Sequence, residues 1–204
     1  MNKTSLSLVL GLSLFGGTAL AENNSAAGSS TGLSEWAIDA SHAHVGFSVP
    51  HMVISEVEGK FKTFSGTVQL DEKDLTHSKL QFSATVASID TDNAERDKHL
   101  KSADFFAAEQ FPQLTFSSTK IVKAGKGYKV TGDLTIHGVT KSVTLDATLS
   151  EAVKNPWGKQ VRAAKLSGKV DRRDFGLSWN KTLDQGGLLV GDEVAIDVKL
   201  ELNK

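Results

Sequence analysis

The sequence Tyr-Lys-Val-Thr-Gly-Asp-Leu-Thr-Ile-His-Gly-Val-Thr-Lys-Ser-Val-Thr-Leu occupies residues 128–145. Apolar and polar residues alternate on both sides of His137-Gly138, and a period of two residues is typical of β-strands with one buried face. A His-Gly pair between two such runs predicts a two-residue hairpin turn, with Gly138 at a positive φ angle that a Cβ atom would disfavour. The stretch therefore predicts two adjacent antiparallel strands.

The same alternation continues on both sides of this hairpin. It predicts further strands over residues 36–39, 44–49, 59–70, 79–86, 114–122, 160–170 and 194–202, and it extends the second hairpin strand to residue 153. Residues 51–56 lack the pattern and predict a short turn of helix. Sustained strands of about ten residues with almost no helix favour an all-β fold, an antiparallel β-barrel of about eight strands, over a β-sandwich.

The inward face of such a barrel is predicted to be mostly large and apolar. Its members include Phe47, Phe64, Phe82, Phe116, Leu134, Leu145 and Trp179. Small residues interrupt this face at Gly66, Ala84, Gly132, Ala147 and Gly168. Barrels of about eight strands are either filled by side chains or hold one small ligand. The small residues either leave room for a ligand tail, beside Ala84 and Gly132 for example, or fit the taper of a packed interior, and the pattern leaves both open.

The stretch after residue 86 has a different character. Asp92 is followed three residues later by Glu95, which is the spacing of a capping box and predicts a short helix over residues 92–101. The aromatic pair Phe105-Phe106 follows this polar segment, although an exposed loop has no need of two adjacent phenylalanines. We therefore predict a helix that lies near the mouth of the barrel.

Arg96 and His99 share one face of the predicted helix. One interpretation is that they bind the polar head group of an amphiphile whose tail enters the barrel, because arginine binds phosphate-like groups through its planar fork. The other interpretation is structural, since Arg96 would equally hold the helix to the barrel through polar contacts.

The first residues have the pattern of a secretory signal peptide over residues 1–21. Lys3 precedes an apolar stretch that is short for a membrane span, and Ala19-Leu20-Ala21 forms a small-x-small cleavage site. This pattern predicts export to the periplasm after cleavage. It leaves a flexible leader over residues 22–33 and a single domain over residues 34–204.

Composition excludes several classes of function. The chain has no cysteine, which excludes thiol catalysis and thiolate metal sites. Its 23 basic and 24 acidic residues give a formal net charge of −1 without a basic stripe, which argues against a nucleic-acid partner. No nucleophile elbow, phosphate-binding glycine loop or His-Glu-x-x-His motif occurs in the sequence, so we predict a protein that is not an enzyme and needs no cofactor.

Four further residues have side chains that could carry chemistry. His42, His44 and His51 lie close together in sequence, and His42 and His44 could form a two-ligand chelate. No Asp, Glu or Cys follows at a metal-binding spacing to supply a third ligand, so we predict structural hydrogen bonds rather than a metal site. Arg172 has the parity of the apolar positions before it and is predicted to point inward, with Asp174 or the ring of Trp36 as its partner.

An ordered set of short motifs resembles the YceI-like family over residues 36–202. The set comprises Trp36-Ala-Ile-Asp39, Phe47-Ser-Val-Pro-His51, Gly59-Lys-Phe61, Ser88-Ile-Asp-Thr91, Arg96-Asp97-Lys-His99-Leu100, Asp104-Phe105-Phe106, Phe111-Pro112, Gly132-Asp133-Leu134-Thr135-Ile136-His137-Gly138 and Arg172-Arg-Asp174-Phe175-Gly176. Ala43, where Ser or Thr is frequent, and Asp171, where Asn is usual, are the departures from the pattern.

The resemblance implies a lipocalin-like barrel that binds an isoprenoid or another long-chain lipid-like ligand. On this basis we expect a periplasmic carrier or sequestering protein. An accessory protein or enzyme that acts on a bound isoprenoid quinone, and an interaction module with a filled barrel, remain as alternatives. A homodimer is also left open.

Overall fold

The computed structural model describes residues 32–184 and 186–204. The predicted signal peptide and nearly all of the predicted leader lie outside the described residues. The strands are β1 (Leu33–His51), β2 (Ser55–Phe61), β3 (Phe64–Asp71), β4 (Lys79–Thr85), β5 (Ile89–Asp90), β6 (Gln113–Ala124), β7 (Gly127–Ile136), β8 (Val139–Leu149), β9 (Val153–Lys154), β10 (Gln160–Asp171) and β11 (Glu193–Asn203). Helix α1 is Ala94–Lys101, and short 3₁₀ helices are formed by Leu75–His77, Val86–Ser88 and Arg172–Phe175.

Eight of these strands close into an antiparallel barrel, which confirms the predicted fold class. Their order around the ring is β1, β3, β4, β6, β7, β8, β10 and β11, and β11 pairs with β1 to complete it. At the closing pair, Val45 lies opposite Val198. The short strands β2 and β5 extend the sheet beyond the last residues of β1, and β9 pairs with the first residues of β10.

The connections between strands fall at two ends of the barrel, because neighbouring strands run in opposite directions. The helix end carries α1, the turn after β1 at residues 52–54, the turn His137-Gly138 and the 3₁₀ helix Arg172–Phe175. The opposite end carries the 3₁₀ helix Leu75–His77 and the turn between β6 and β7.

The tryptophan near the start of β1 packs in the core toward the opposite end. Trp36 is 1% exposed and pairs with Val68 on β3. Its indole Nε1 donates a hydrogen bond to Glu72 Oε1 at 3.2 Å, and the guanidinium of Arg162 lies 5.5 Å from the ring centroid. Arg162 also forms a 2.9 Å ion pair with Glu72, so one carboxylate holds both the ring and the cation above it.

The predicted turn at His137-Gly138 is confirmed. His137 has a φ of 51° and Gly138 a φ of 73°, and Ile136 pairs directly with Val139 across the turn. Two residues at positive φ are the requirement of a type I′ hairpin turn, whose twist matches that of the flanking strands.

Two local predictions were wrong. Residues 51–56 form no helix; they hold the hairpin turn between β1 and β2, with Met52 at a φ of 53° and Val53 at 65°. The predicted strand over residues 59–70 is two strands, β2 and β3, separated by a bend. The long strand β1 explains the division, because its first residues pair with β3 and its last residues pair with β2.

The helix exists, but its N-cap was assigned to the wrong residue. Asn93 caps it, and its side chain accepts a hydrogen bond from the backbone N–H of Arg96 at 3.0 Å. Asp92 instead has a φ of 57° and lies in the turn before the helix. Asparagine and aspartate cap equally well, so sequence spacing alone did not distinguish the two neighbours.

Replacing Gly138 with alanine is expected to lower the free energy of unfolding by about 1 kcal/mol or more, because a Cβ atom is disfavoured at this φ angle. A Cβ atom here would also lie 2.5 Å from the ring of Phe111. Gly125→Ala is the matched control, since Gly125 has a φ of 58° but no atom within 4 Å of its Cβ position. Urea unfolding of both variants should show the larger loss for Gly138→Ala; equal losses would contradict the Phe111 contact.

A candidate ligand cavity

The interior of the barrel contains a cavity of about 170 Å³, here called the main cavity. Apolar side chains from β1, β4, β6, β7, β8, β10 and β11 line it. Leu100 on α1 and the pair Phe105-Phe106 after it complete the lining at the helix end. Among the described residues that line the cavity, Arg172 is the one with a charged side chain. The helix therefore lies where the sequence predicted it, beside the mouth of the cavity.

Five of the residues predicted to contact a ligand tail line the main cavity. These are Phe47, Phe82, Phe116, Leu134 and Leu145. Phe64 stacks on Phe82 with the ring centroids 5.9 Å apart, and Trp179 packs on Phe105 with the centroids 5.1 Å apart, so each contacts a residue of the lining without lining the cavity itself. Their roles in binding stay predictions.

Three of the small inward residues, Gly66, Ala84 and Gly132, accommodate neighbouring groups instead of leaving space. A Cβ atom at Gly132 would lie 2.5 Å from both the ring of Phe116 and the carbonyl oxygen of Ser117. At Gly66 it would lie 2.7 Å from the carbonyl oxygen of Gln81. Ala84 is fully buried in a separate apolar cluster with Val45. Gly132 and Ala84 do not line the main cavity, and their size is explained by close packing.

Most of the other residues that line the main cavity were not predicted to contact a ligand, although their strands were predicted. Leu166 and Val170 of β10 and Val194, Ile196 and Val198 of β11 all face the cavity. The alternation that predicted these two strands also gives their inward positions. The signal was present, but it does not distinguish a residue that lines a cavity from one in a packed core.

Arg172 holds the loop after the last 3₁₀ helix through several hydrogen bonds. Its side chain is buried, and its guanidinium donates hydrogen bonds to the carbonyl oxygens of Leu177, of Trp179 at 2.9 Å and of Gly191 at 2.8 Å. It also approaches Asp192 Oδ1 at 3.3 Å. Burial lowers the pKa of Arg172 from its ordinary value, and the Asp192 carboxylate opposes that shift.

The inward direction predicted for Arg172 was right, but both proposed partners were wrong. Its partners are Asp192 and carbonyl groups of the loop between the last 3₁₀ helix and β11, not Asp174 or Trp36. All three nitrogens of this guanidinium therefore donate hydrogen bonds to the loop.

The two residues proposed for a head group have polar partners within the protein. Arg96 donates from Nε to Thr91 Oγ1 at 2.8 Å and from Nη2 to the Thr91 carbonyl at 2.6 Å. Thr91, in turn, donates to Asp97 from both its N–H and its hydroxyl group. These bonds hold α1 to the end of β5, which is the structural role considered above for Arg96.

His99 lies closer to the mouth of the main cavity. Its Nε2 is 2.9 Å from Asp104 Oδ2, and its ring meets the rings of Phe105 and Trp179 edge to face, at centroid distances of 5.0 and 4.8 Å. Phe105 lines the cavity, so one aromatic side chain separates His99 from the interior. Neither His99 nor Arg96 lines the cavity itself.

His42 and His44 of β1 have exposed side chains. His42 Nδ1 is 3.0 Å from Asp39 Oδ2, and Glu201 brings a second carboxylate into the group, with the ligand atoms within 4.8 Å of one another. His44 Nε2 is 4.0 Å from Asp197 and is not part of this trio. That protein purified without added metal is folded and metal-free stays a prediction, which elemental analysis checks; stoichiometric zinc or copper would contradict it.

The His42–Asp39 pair gives a pH-dependent prediction. The hydrogen bond that the Asp39 carboxylate accepts from the imidazole raises the pKa of His42 above its ordinary value of 6.5. Its contribution to stability is therefore present below pH 6.5 and is lost as the pH rises through the pKa of the folded state. An NMR titration should find this raised pKa, and Asp39→Asn should lower it toward 6.5, whereas Asp133→Asn on β7 should leave it unchanged. A His42 pKa at 6.5 in the wild type would contradict the pair.

These features define a class of protein, a closed antiparallel β-barrel whose apolar cavity is covered at one end by a short helix. The chain matches the YceI-like domain over residues 36–202 and belongs to that family. No helix among the described residues is long and apolar enough to cross a membrane.

Named relatives agree with this assignment. The chain is 44% identical over 138 residues to the UPF0312 protein plu2095 of Photorhabdus laumondii, a match that covers 68% of this chain and 72% of the relative. The crystal structure of BcnA from Burkholderia cenocepacia is similar with a TM-score of 0.71 and 28% identity, over 80% of this chain and 98% of BcnA. A polyisoprenoid binding domain from Saccharophagus degradans shares the fold, with a TM-score of 0.56 and 14% identity over 83% of this chain and 98% of that domain.

Proposed function

We propose that this protein binds an isoprenoid or another long-chain lipid-like amphiphile inside its barrel and carries or sequesters it in the periplasm. The observation that carries the proposal is the main cavity, whose lining is apolar apart from an arginine that is bonded to its own loop. The name of the Saccharophagus domain agrees with this choice of ligand, although the likeness to it is one of fold.

The chemistry of the lining restricts the part of the ligand that enters. An uncharged polar group placed in this cavity would lose its hydrogen bonds to water, which is unfavourable unless new partners replace them. Each methylene group transferred from water contributes about 0.8 kcal/mol before the entropic cost of binding. The buried part is therefore hydrocarbon, and a long chain should dissociate slowly enough to survive purification.

The head group is proposed to remain at the helix end, beside α1. His99 is the closer candidate to contact it, because its ring packs on Phe105 of the cavity lining. Arg96 would contribute mainly through its charge, since its nitrogens already donate to Thr91. On this proposal His99→Ala weakens the binding of an anionic amphiphile more than that of a neutral one with the same chain.

Binding is favoured over catalysis by the composition of the lining. Among the described residues that line the main cavity there is no histidine, carboxylate, serine or lysine. General acid–base and nucleophilic catalysis need such a group within hydrogen-bond reach of the reacting atoms. Apart from Arg172, the walls that a bound chain would meet are therefore hydrocarbon.

The proposal is tested by extracting protein purified from cells into organic solvent and analysing the extract by mass spectrometry. The wild type should release a long-chain species, and Val198→Phe, which fills the main cavity, should not. Lys199→Phe makes the same aromatic addition at the next, exposed residue of β11 and should retain the species. An empty wild-type extract, together with a Val198→Phe variant more stable than the wild type, would show that the interior is an ordinary packed core.

The periplasmic location has its own test, because the predicted signal peptide lies outside the described residues. N-terminal sequencing of protein released from the periplasm should begin at Glu22, after Ala19-Leu20-Ala21. Recovery of protein that retains Met1 in the cell envelope would contradict export with cleavage.

A further inference from the structure

The hairpin turn between β1 and β2 exposes three successive apolar residues. Val53 and Ile54 are each 82% exposed, and Met52 before them is also exposed. Leu188, another exposed apolar residue, belongs to the loop before β11. These four residues are called the apolar tip below. Single apolar residues are common on protein surfaces, but a contiguous exposed group marks a site of interaction with a protein or a membrane.

The two parts of the apolar tip are held next to each other. The backbone N–H of Met52 donates a hydrogen bond to the carbonyl oxygen of Leu189 at 2.9 Å. A Cβ atom at Gly187 would lie 4.0 Å from Cγ2 of Val53. Leu188 lies between these two points of approach, so it belongs to the same exposed region as the turn.

The apolar tip is continuous with the mouth of the main cavity. Val49 and Val190 line that cavity. Val190 pairs with His51, the residue directly before the tip, and Val49 precedes the tip on the same strand. A surface that receives the apolar tip therefore also faces the mouth.

The backbone of this turn does not suit the residues that occupy it. Met52 has a φ of 53° and Val53 a φ of 65°, a region that favours glycine and asparagine and that β-branched residues rarely adopt. A turn that served stability alone would carry glycine or asparagine at these positions. The stability of the hairpin therefore does not explain its apolar residues, and their exposure means that the core does not explain them either.

The sequence on both sides of the apolar tip is largely uncharged. Residues 186–191 contain no charged side chain, and residues 49–54 contain none apart from the titratable His51. The nearest charged residues along the two segments have both signs, and they are Glu56, Asp192, Asp184 and Lys181. The partner should therefore be recognised through hydrocarbon rather than through charge.

A lipid bilayer fits this surface better than a second protein. Stable protein interfaces bury about 800 Å² on each partner, over about 20–30 residues. The apolar tip has only four aliphatic side chains, on a turn whose Val53 and Ile54 are almost free of neighbours. A bilayer needs no complementary surface, because apolar side chains enter it through the same hydrophobic effect that buries them in a core.

We propose that the apolar tip inserts into the surface of a phospholipid bilayer and holds the mouth of the main cavity against the membrane. The docking itself does not require the proposed function, whereas the transfer of a ligand from the bilayer into the docked barrel rests on it. A long hydrocarbon chain is unfavourable in water, and a mouth that faces the bilayer lets the chain pass without crossing the solvent.

A fluorescent label at the apolar tip tests the docking directly. The chain has no cysteine, so one introduced cysteine can carry the polarity-sensitive dye NBD. With dye at Ile54→Cys, phosphatidylcholine vesicles should shift the emission to the blue, and brominated lipids should quench it. Trp157→Cys is the matched control, because Trp157 is similarly exposed between β9 and β10 at the opposite end of the barrel. Dye at this position should show neither effect.

Val53→Gly separates docking from folding. It removes an exposed apolar side chain and gives the turn a residue that suits its φ angle, so the variant should be at least as stable as the wild type. Its binding to phosphatidylcholine vesicles, measured by co-sedimentation, should fall by about tenfold. Trp157→Ser removes a larger exposed apolar side chain from the opposite end and should leave vesicle binding unchanged.

The outcomes distinguish the docking from the proposed function. An unchanged dye signal at Ile54→Cys, equal signals at the two labelled positions, or vesicle binding that Val53→Gly does not weaken would overturn the docking and leave the proposed function standing. A dye response that grows with protein concentration without vesicles would assign the apolar tip to contact between two copies of the chain and would also overturn it. Vesicle binding through the tip by a protein whose organic extract is empty would support the docking and count against the proposed function.

Discussion

Replacing Arg172 with alanine is expected to lower the free energy of unfolding by about 3 kcal/mol or more, as the removal of one partner from a buried charged network does. The substitution leaves the carbonyl oxygens of Leu177, Trp179 and Gly191 without their donor. Each unsatisfied buried group costs about 1–3 kcal/mol unless water reaches it. The same change releases the loop that follows the last 3₁₀ helix, so we also expect faster loss of any co-purified ligand.

Urea unfolding measures this effect, and the neighbouring arginine provides the control. Arg173 is 56% exposed and pairs with Asp171 and Asp192 at the surface, so Arg173→Ala should change the stability by less than about 1 kcal/mol. Arg172→Lys keeps the charge but lacks the planar fork, and it should recover only part of the loss. Equal effects of Arg172→Ala and Arg173→Ala would contradict the central role assigned to the buried guanidinium.

Replacing Trp36 with alanine is expected to lower the free energy of unfolding by about 3–5 kcal/mol, the range for removal of a large buried aromatic side chain. Trp36 is 1% exposed, and its loss also leaves Glu72 without the indole donor. Thermal or urea unfolding checks the value. Trp157→Ala is the matched control, because Trp157 is 84% exposed and should contribute little. Comparable losses for the two variants would show that Trp36 is not packed in the core as described.

The architecture of the barrel could be predicted because one local property repeats along most of the chain. Each strand must place apolar residues inside and polar residues outside, so period-two alternation reveals both its existence and its inward face. The turn at His137-Gly138 was predictable for a similar reason, since positive φ angles at two successive positions restrict the residues that fit.

The local errors have a common physical origin in tertiary context. Nothing in residues 51–56 shows that the last part of β1 will pair with β2, so the turn with Val53 at positive φ was unexpected for a β-branched residue. The partners of Arg172 come from a loop that folds back near it, and sequence gives no distance between such segments.

The position of the cavity could not be predicted from the sequence. The sequence left open whether small residues such as Gly132 and Ala84 make room for a ligand or fit a packed interior; in the structure Gly132 packs against the ring of Phe116 and Ala84 is fully buried. The space lies elsewhere, between larger side chains such as Leu145 and Ile196. Whether large side chains leave a void depends on their rotamers and on the curvature of the barrel. The alternation of apolar and polar residues determines neither.

The most direct test of the account is to locate a bound chain inside the barrel. Crystals of delipidated protein would be grown with a long-chain fatty alcohol that carries bromine near the middle of its chain, and the bromine located by anomalous scattering. A bromine peak is expected within the barrel, in contact with the walls of the main cavity near Phe82, Leu145 or Ile196. A peak confined to the outer surface, or none under conditions where the alcohol binds in solution, would contradict it.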